Sequence, residues 1–170
     1  MNAKVHKLLN QQIAEELYSA YLYLDFANHF EREGLVGFAN WYKIQSREEC
    51  DHAMLFYQYL QNENQTVTLE TISKPSLEAD SHLDVLKSGL EHEKYVTALI
   101  NQIYFAAIEA QDLRTMRFLD WFIAEQGEEE KNADELILKT ELFGKDSKGL
   151  YMLNNELLAR SYSPPSLILS

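Results

Sequence analysis

The chain has 170 residues, and its 27 Asp and Glu against 15 Lys and Arg give a formal charge of −12. That lacks the basic footprint nucleic acid requires and favours cations as partners. A hydrophobic content of 46% with only 6 Gly and 3 Pro excludes disordered and fibrous classes and fits one domain with a sizeable core. The single cysteine, Cys50, excludes an intrachain disulfide or a CxxC metal site. The start MNAKVHKLLNQQ has no apolar leader and the run IYFAAI is too short to span a bilayer, so a cytoplasmic protein without a membrane partner is expected.

Residues 5–33 hold no Gly or Pro, and Leu9, Ile13, Leu17, Ala20, Leu24 and Ala27 recur at helical spacing. They predict a first helix, ended by Gly34. A second helix is expected over 36–62. Residues 63–80, ENQTVTLETISKPSLEAD, carry β-branched residues, a Lys-Pro step and no period, and predict a connection. Asp80 or Ser81 suits the N-cap of a third helix over 82–111. Asp112 marks a tight turn, and a fourth helix runs to Leu142 before Gly144. A short fifth helix is expected over 147–160, halted by the tail SYSPPSLILS with its Pro pair. The chain thus divides into a helical domain, 1–160, and a tail, 161–170, that is either disordered or packed at an intersubunit axis.

A connection this long would ordinarily count against the assignment. Length resolves it. A helix of about 27 residues is roughly 40 Å long, and about 18 extended residues reach about 55–60 Å. The connection can run the length of a bundle and start the third helix parallel to the second. The expected fold is all-α: a four-helix bundle with one long crossover plus a short fifth C-terminal helix.

The inward stripes of the four helices carry unexpected residues. In the second helix Phe38, Tyr42, Gln45, Glu49, His52, Phe56 and Tyr59 follow steps of four and three, so Glu49 and His52 lie on the core face. Glu16 interrupts Leu9, Ile13, Ala20, Tyr23 and Ala27. Glu93 interrupts Leu86, Leu90, Thr97, Ile100 and Tyr104. In the fourth helix Glu125 and Glu129, with Gln126, fall among Phe118, Phe122 and Leu136. The helix midpoints lie near residues 19, 49, 96 and 127, so these groups share one layer at mid-bundle. Any one of them alone would read as a solvated face residue. Together they would repel unless a cation were present. Oxygen-rich ligation with one imidazole suits iron or manganese.

Four segments, in this order, carry a resemblance: ELYSAYLY at 16–23, EECDH at 48–52, EHE at 91–93 and WFIAEQGEEEK at 121–131. Over residues 5–160 the chain resembles the bacterial non-haem ferritins. The resemblance implies a dinuclear ferroxidase centre. Glu16, Glu49 and His52 would hold one iron, Glu49 would bridge, and Glu93 and Glu129 would hold the second, with Gln126 close by. It further implies a third iron site at Glu48, Glu125, Glu128 and Glu129, and a tyrosine, Tyr23, beside the centre, able to donate an electron or simply buried in the core. The implied reaction is oxidation of Fe(II) by O2 or H2O2, with ferric mineral stored in a homo-oligomeric cage of about 24 copies, a 24-mer.

Bacterioferritins differ in having a second Glu-x-x-His where this chain has Gln126-x-x-Glu129, and a haem-ligating Met at the position of Cys50. No haem is expected. Cys50 is read as a small packing residue, and Gly127, costly by about 1 kcal/mol inside a helix, has no mechanism assigned beyond a close helix contact. His6, His29, His82 and His92 are read as surface residues. The apolar stripe Leu150, Leu153 and Leu157 of the fifth helix is expected to pack on symmetry mates. A non-storing di-iron oxidase or peroxidase of rubrerythrin type is the alternative, disfavoured by the missing rubredoxin-like cysteines. A Dps-like mini-ferritin, which places its metals between subunits, and an inert helical scaffold are further competitors.

Overall fold

The computed structural model describes residues 1–77 and 79–169, which form five helices and no strand. They are α1 (Ala3–Arg32), α2 (Val36–Asn62), α3 (His82–Glu109), α4 (Leu113–Phe143) and α5 (Ser147–Leu158). Asn2, Ser81, Asp112 and Asp146 cap α1, α3, α4 and α5 with side-chain oxygens that accept from otherwise unpaired amides. Asn2 starts α1 two residues before the expected Val5. The α1–α2 turn places Gly34 at φ +74°, a conformation that favours glycine, while Asn64 and Gln111 take similar positive values after α2 and α3.

Two apolar clusters fill the bundle. One joins Val5, Leu9 and Ile13 to Phe56, Leu60, Ile100, Ile103, Phe118 and Phe122. The other joins Phe26 and Phe30 to Phe38, Tyr42, Val85, Leu86, Leu136 and Ile137. The C-terminal halves of α2 and α3 share the first cluster and their N-terminal halves the second, so these helices run parallel. The connection between them packs Val67 on the first cluster and Leu77 and Ala79 on the second. Asn10 holds its start, donating to the Thr68 carbonyl at 2.7 Å and accepting from the Thr68 amide at 2.8 Å. This is the four-helix bundle with one long crossover. Among the described residues no helix is long and apolar enough to cross a membrane.

Several expectations are corrected. Leu24 is exposed and Leu17 only half-buried. At 100° per residue both lie about 60–80° round from Leu9, on the flank of the inward stripe. Cys50 is exposed as well. It joins Leu17, Ala20, Tyr21, Leu24 and Ile72 along an apolar groove instead of packing in the core. A Cβ at Gly127 would meet nothing within 4 Å, so no close helix contact requires that glycine. The close approach is at Gly37, where a Cβ would lie 1.7 Å from the Asn154 carbonyl oxygen. There Asn154 Oδ1 accepts from the Gly37 amide at 2.8 Å and fastens α5 to α2. Leu153 and Leu157 bury in the chain's own core with Leu150 against it. The outward residues of α5 are Tyr151, Met152 and Leu158. In the tail, Leu167 and Leu169 pack on the first apolar cluster.

Candidate metal centre

Between the two apolar clusters lies a layer of buried polar side chains. Glu16, Glu49, His52, Glu93, Gln126 and Glu129 are each between 1% and 6% exposed, and Tyr23 is buried beside them. Helical period explains the placement: each occupies an inward position of its helix, one from α1, two from α2, one from α3 and two from α4. Glu16, Glu49 and His52 converge most closely. One ligand atom from each lies within 4.8 Å of the others. His52 Nδ1 is 3.3 Å from Glu49 Oε2, and the His52 ring packs edge-on against Trp121 and Phe122.

Amides and a phenol orient the remaining carboxylates. Gln12 donates to Glu16 at 3.0 Å, and Gln45 donates to Glu129 at 2.8 Å. Gln126 donates to Glu93 Oε2 at 3.2 Å and to the Glu93 carbonyl at 3.3 Å. The Tyr23 hydroxyl donates to Glu93 Oε1. Two acceptors stay unmatched: Glu16 Oε2 and Gln45 Oε1 are buried without a hydrogen-bond partner. A cavity of about 20 Å³, room for about one water, is lined by Tyr23, Gln45, Glu93 and Glu129 among others.

The electrostatics are unfavourable for bare carboxylates. Burial and then the Glu49 charge push Glu16 from 4.5 up to about 8. Burial and then Glu129 push Glu93 up to about 8. Glu49 is raised well above the usual carboxylate range by burial, Glu93 and Glu129. Burial, Glu93 and Glu49 hold Tyr23 as the neutral phenol. Among the described residues no Lys or Arg pairs with any of these carboxylates, whose one ion-pair partner is His52. Anionic oxygens at this density, with one imidazole and an unmatched acceptor, form a donor set for divalent cations that prefer oxygen.

The expected third group does not converge in the same way. Glu48 is committed to Arg160, whose Nη2 lies 2.7 Å from its Oε2. Burial pushes Glu48 up to about 7, with Arg160 opposing. Glu125 is half-buried and raised by burial, and Glu128 is exposed. Glu129 instead faces Gln45.

Three further residues, to which the sequence alone assigned no role at the centre, are His92, Gln45 and Arg160. His92 is not a surface residue: burial lowers it to about 4. Its Nε2 shares a 2.7 Å hydrogen bond with Ser19, and its ring meets Tyr23 edge-on at 5.8 Å. His6, His29 and His82 are half-buried too. His6 meets the Thr66 carbonyl at 2.8 Å, and the His29 and His82 rings pack on Phe30. Gln45 was visible on the inward stripe of α2. Nothing local marks Arg160, whose partner lies 112 residues away.

A family model described as the ferritin-like domain matches residues 6–143. A bacterial non-heme ferritin of Staphylococcus epidermidis is 34% identical over 155 residues, covering 91% of this chain and 93% of the relative. Its counterpart in Campylobacter jejuni is 34% identical over 152 residues, covering 89% and 91%. A solved structure of an Archaeoglobus fulgidus ferritin engineered to a closed form superposes with a TM-score of 0.93 at 38% identity, covering 96% of this chain and 99% of that one.

Proposed function

The chain belongs to the ferritin family, and on that premise we propose that it is an iron-storing ferritin that oxidises Fe(II) at a dinuclear carboxylate centre. One observation carries the reading. Four buried glutamates, a histidine and a glutamine occupy a single layer between two apolar half-cores, without a Lys or Arg partner among the described residues. A fold has no stabilising use for such a layer unless cations complete it.

In this reading Glu16, Glu49 and His52 hold one ferrous ion. Glu93 and Glu129 hold a second, with Glu49 shared and Gln126 beside it. Gln12 and Gln45 fix the carboxylate orientations by donating to Glu16 and Glu129. Each ferrous ion gives up one electron. Dioxygen accepts the pair with two protons and leaves as hydrogen peroxide, or peroxide itself serves as the acceptor. Tyr23 donates a hydrogen bond to Glu93 and would supply the second electron where peroxide meets a single ferrous ion, its phenolic proton passing to Glu93. The apolar half-cores around the layer exclude bulk water.

Ferric product then hydrolyses to mineral, which requires a closed shell. The exposed apolar residues support assembly: Tyr21, Leu24, Met54 and Ile72 on one side, and Tyr151, Met152 and Leu158 on α5. Such an area is normally covered by a partner. A cytoplasmic cage of about 24 identical copies is the proposed form.

The test is anaerobic loading of the purified protein with Fe(II), then admission of O2, following near-UV absorbance and particle mass together. The proposal expects rapid oxidation of about two irons per chain, followed by slower accumulation of many more within a closed shell. Oxidation that stops at the first phase, on a small oligomer, would establish a non-storing oxidase of rubrerythrin type instead.

A further inference from the structure

Beyond the last turn of α5 the chain does not leave the bundle but runs back along the seam of α2 and α4. Asn40 of α2 donates to the Arg160 carbonyl at 3.0 Å. Tyr162 donates to Asp51 at 2.5 Å and lies under the Arg47 guanidinium, 3.5 Å from its ring centre. The Trp121 indole of α4 donates to Ser166 at 2.9 Å. Leu167 and Leu169 then pack inward while Ile168 points out at 87% exposure. These anchors follow α2 from residue 40 to residue 51, about 16 Å along its axis. Pro164 and Pro165 stiffen the extended run and lower the entropy lost in holding it.

Arg160 is the most firmly held residue of this strap. Its guanidinium meets Glu48 Oε2 at 2.7 Å and the Trp41 carbonyl at 3.3 Å, and lies 4.1 Å from the centre of the Trp41 ring. The two side chains are only 19% and 17% exposed. A guanidinium fixed on a half-buried carboxylate by hydrogen bonds and an aromatic face does the neutralising work of a bound cation, and it is part of the chain.

We infer that Arg160 occupies, as a resident cation, the position that a third metal ion would take at Glu48, and that the strap 160–169 keeps it there. The centre therefore fills with two ions, not three. This rests on the dinuclear reading above. A metal ion arriving at Glu48 has to displace the guanidinium from the carboxylate, the Trp41 carbonyl and the Trp41 ring at once. Glu125 and Glu128 offer no comparable hold, since one is half-buried and the other exposed.

The test uses Co(II), which is stable to air at carboxylate sites, titrated calorimetrically into the assembled metal-free protein. Crystals of the same samples would locate the ions by anomalous scattering. Wild type is expected to bind about two ions per chain, and Arg160→Gln about three, the added ion on Glu48. Arg160→Lys, which keeps the charge, is expected to stay near two, and Glu48→Gln in the Arg160→Gln background returns to about two. An ion on Glu48 in wild type overturns the inference, as does Arg160→Gln remaining at two with wild-type helix content. Failure of wild type to bind Co(II) at Glu16, Glu49 and His52 would overturn the dinuclear reading itself, a separate and recognisable result.

Discussion

Glu16→Gln tests the electrostatics of the buried layer most directly. Glu16 is fully buried and raised from 4.5 to about 8. At pH 7 the native carboxyl retains its proton while the unfolded chain has released it. A group raised in this way contributes its full stability below pH 4.5 and loses it as pH climbs towards 8. At about 1.4 kcal/mol per unit, the loss reaches about 3 kcal/mol by pH 7. Glutamine cannot ionise, yet it keeps the size and still accepts from Gln12. The metal-free variant should match wild type within about 1 kcal/mol at pH 5 and exceed it by about 4 kcal/mol at pH 7.5, a gap of about 8–16 °C in Tm. Differential scanning calorimetry of chelator-treated protein, at one protein concentration across the pH series, reads this directly. The comparison cancels the many other carboxylates of the chain. Adding Zn(II) should raise wild type and narrow the gap, because the cation replaces the proton. A gap that stays constant from pH 5 to pH 7.5, or that favours wild type at the higher pH, would refute the claim that Glu16 is an unneutralised buried acid.

Other substitutions probe the same layer and its supports. Glu49→Gln combined with His52→Ala should lower the rapid phase of Fe(II) oxidation by at least about 100-fold in stopped-flow absorbance, and an unchanged rate would remove these residues from the centre. Tyr23→Phe deletes the donor to Glu93 and should slow oxidation about tenfold while leaving the number of bound metal ions unchanged; loss of an ion would make its role structural. Gly127→Ala should stabilise the protein by up to about 1 kcal/mol, since its Cβ points into open space and alanine is the better helix former. Gly37→Ala should instead cost at least about 3 kcal/mol or undock α5, because its Cβ would overlap the Asn154 carbonyl, and denaturant midpoints of the two variants should shift in opposite directions.

Helical period was enough to place the four long helices, to make the second and third parallel, and to set Glu16, Glu49, His52, Glu93, Gln126 and Glu129 at one depth. Those conclusions depend on rise and angle per residue, which the order of residues already contains. Boundaries moved by one or two residues, as at Asn2, where a side-chain cap extends α1. The same arithmetic could not assign Leu24 and Cys50. A residue about 60° off the stripe is buried or exposed according to what packs beside it, and among the described residues the packing leaves Leu24 and Cys50 exposed. His92 turned inward because Ser19 and Tyr23 of α1 meet it across the bundle.

The tail shows where sequence reading ends. Pro164 and Pro165 announced that the helix would stop, but not where the chain would go. Its course follows from contacts with residues 40–51 and 121, more than 40 positions away in sequence. The sequence by itself determined that acids and an imidazole meet at the centre of the bundle, because periodicity is local. Only the tertiary structure decided that Glu48 is paired with Arg160, because that choice depends on which distant surface residues 160–169 bury.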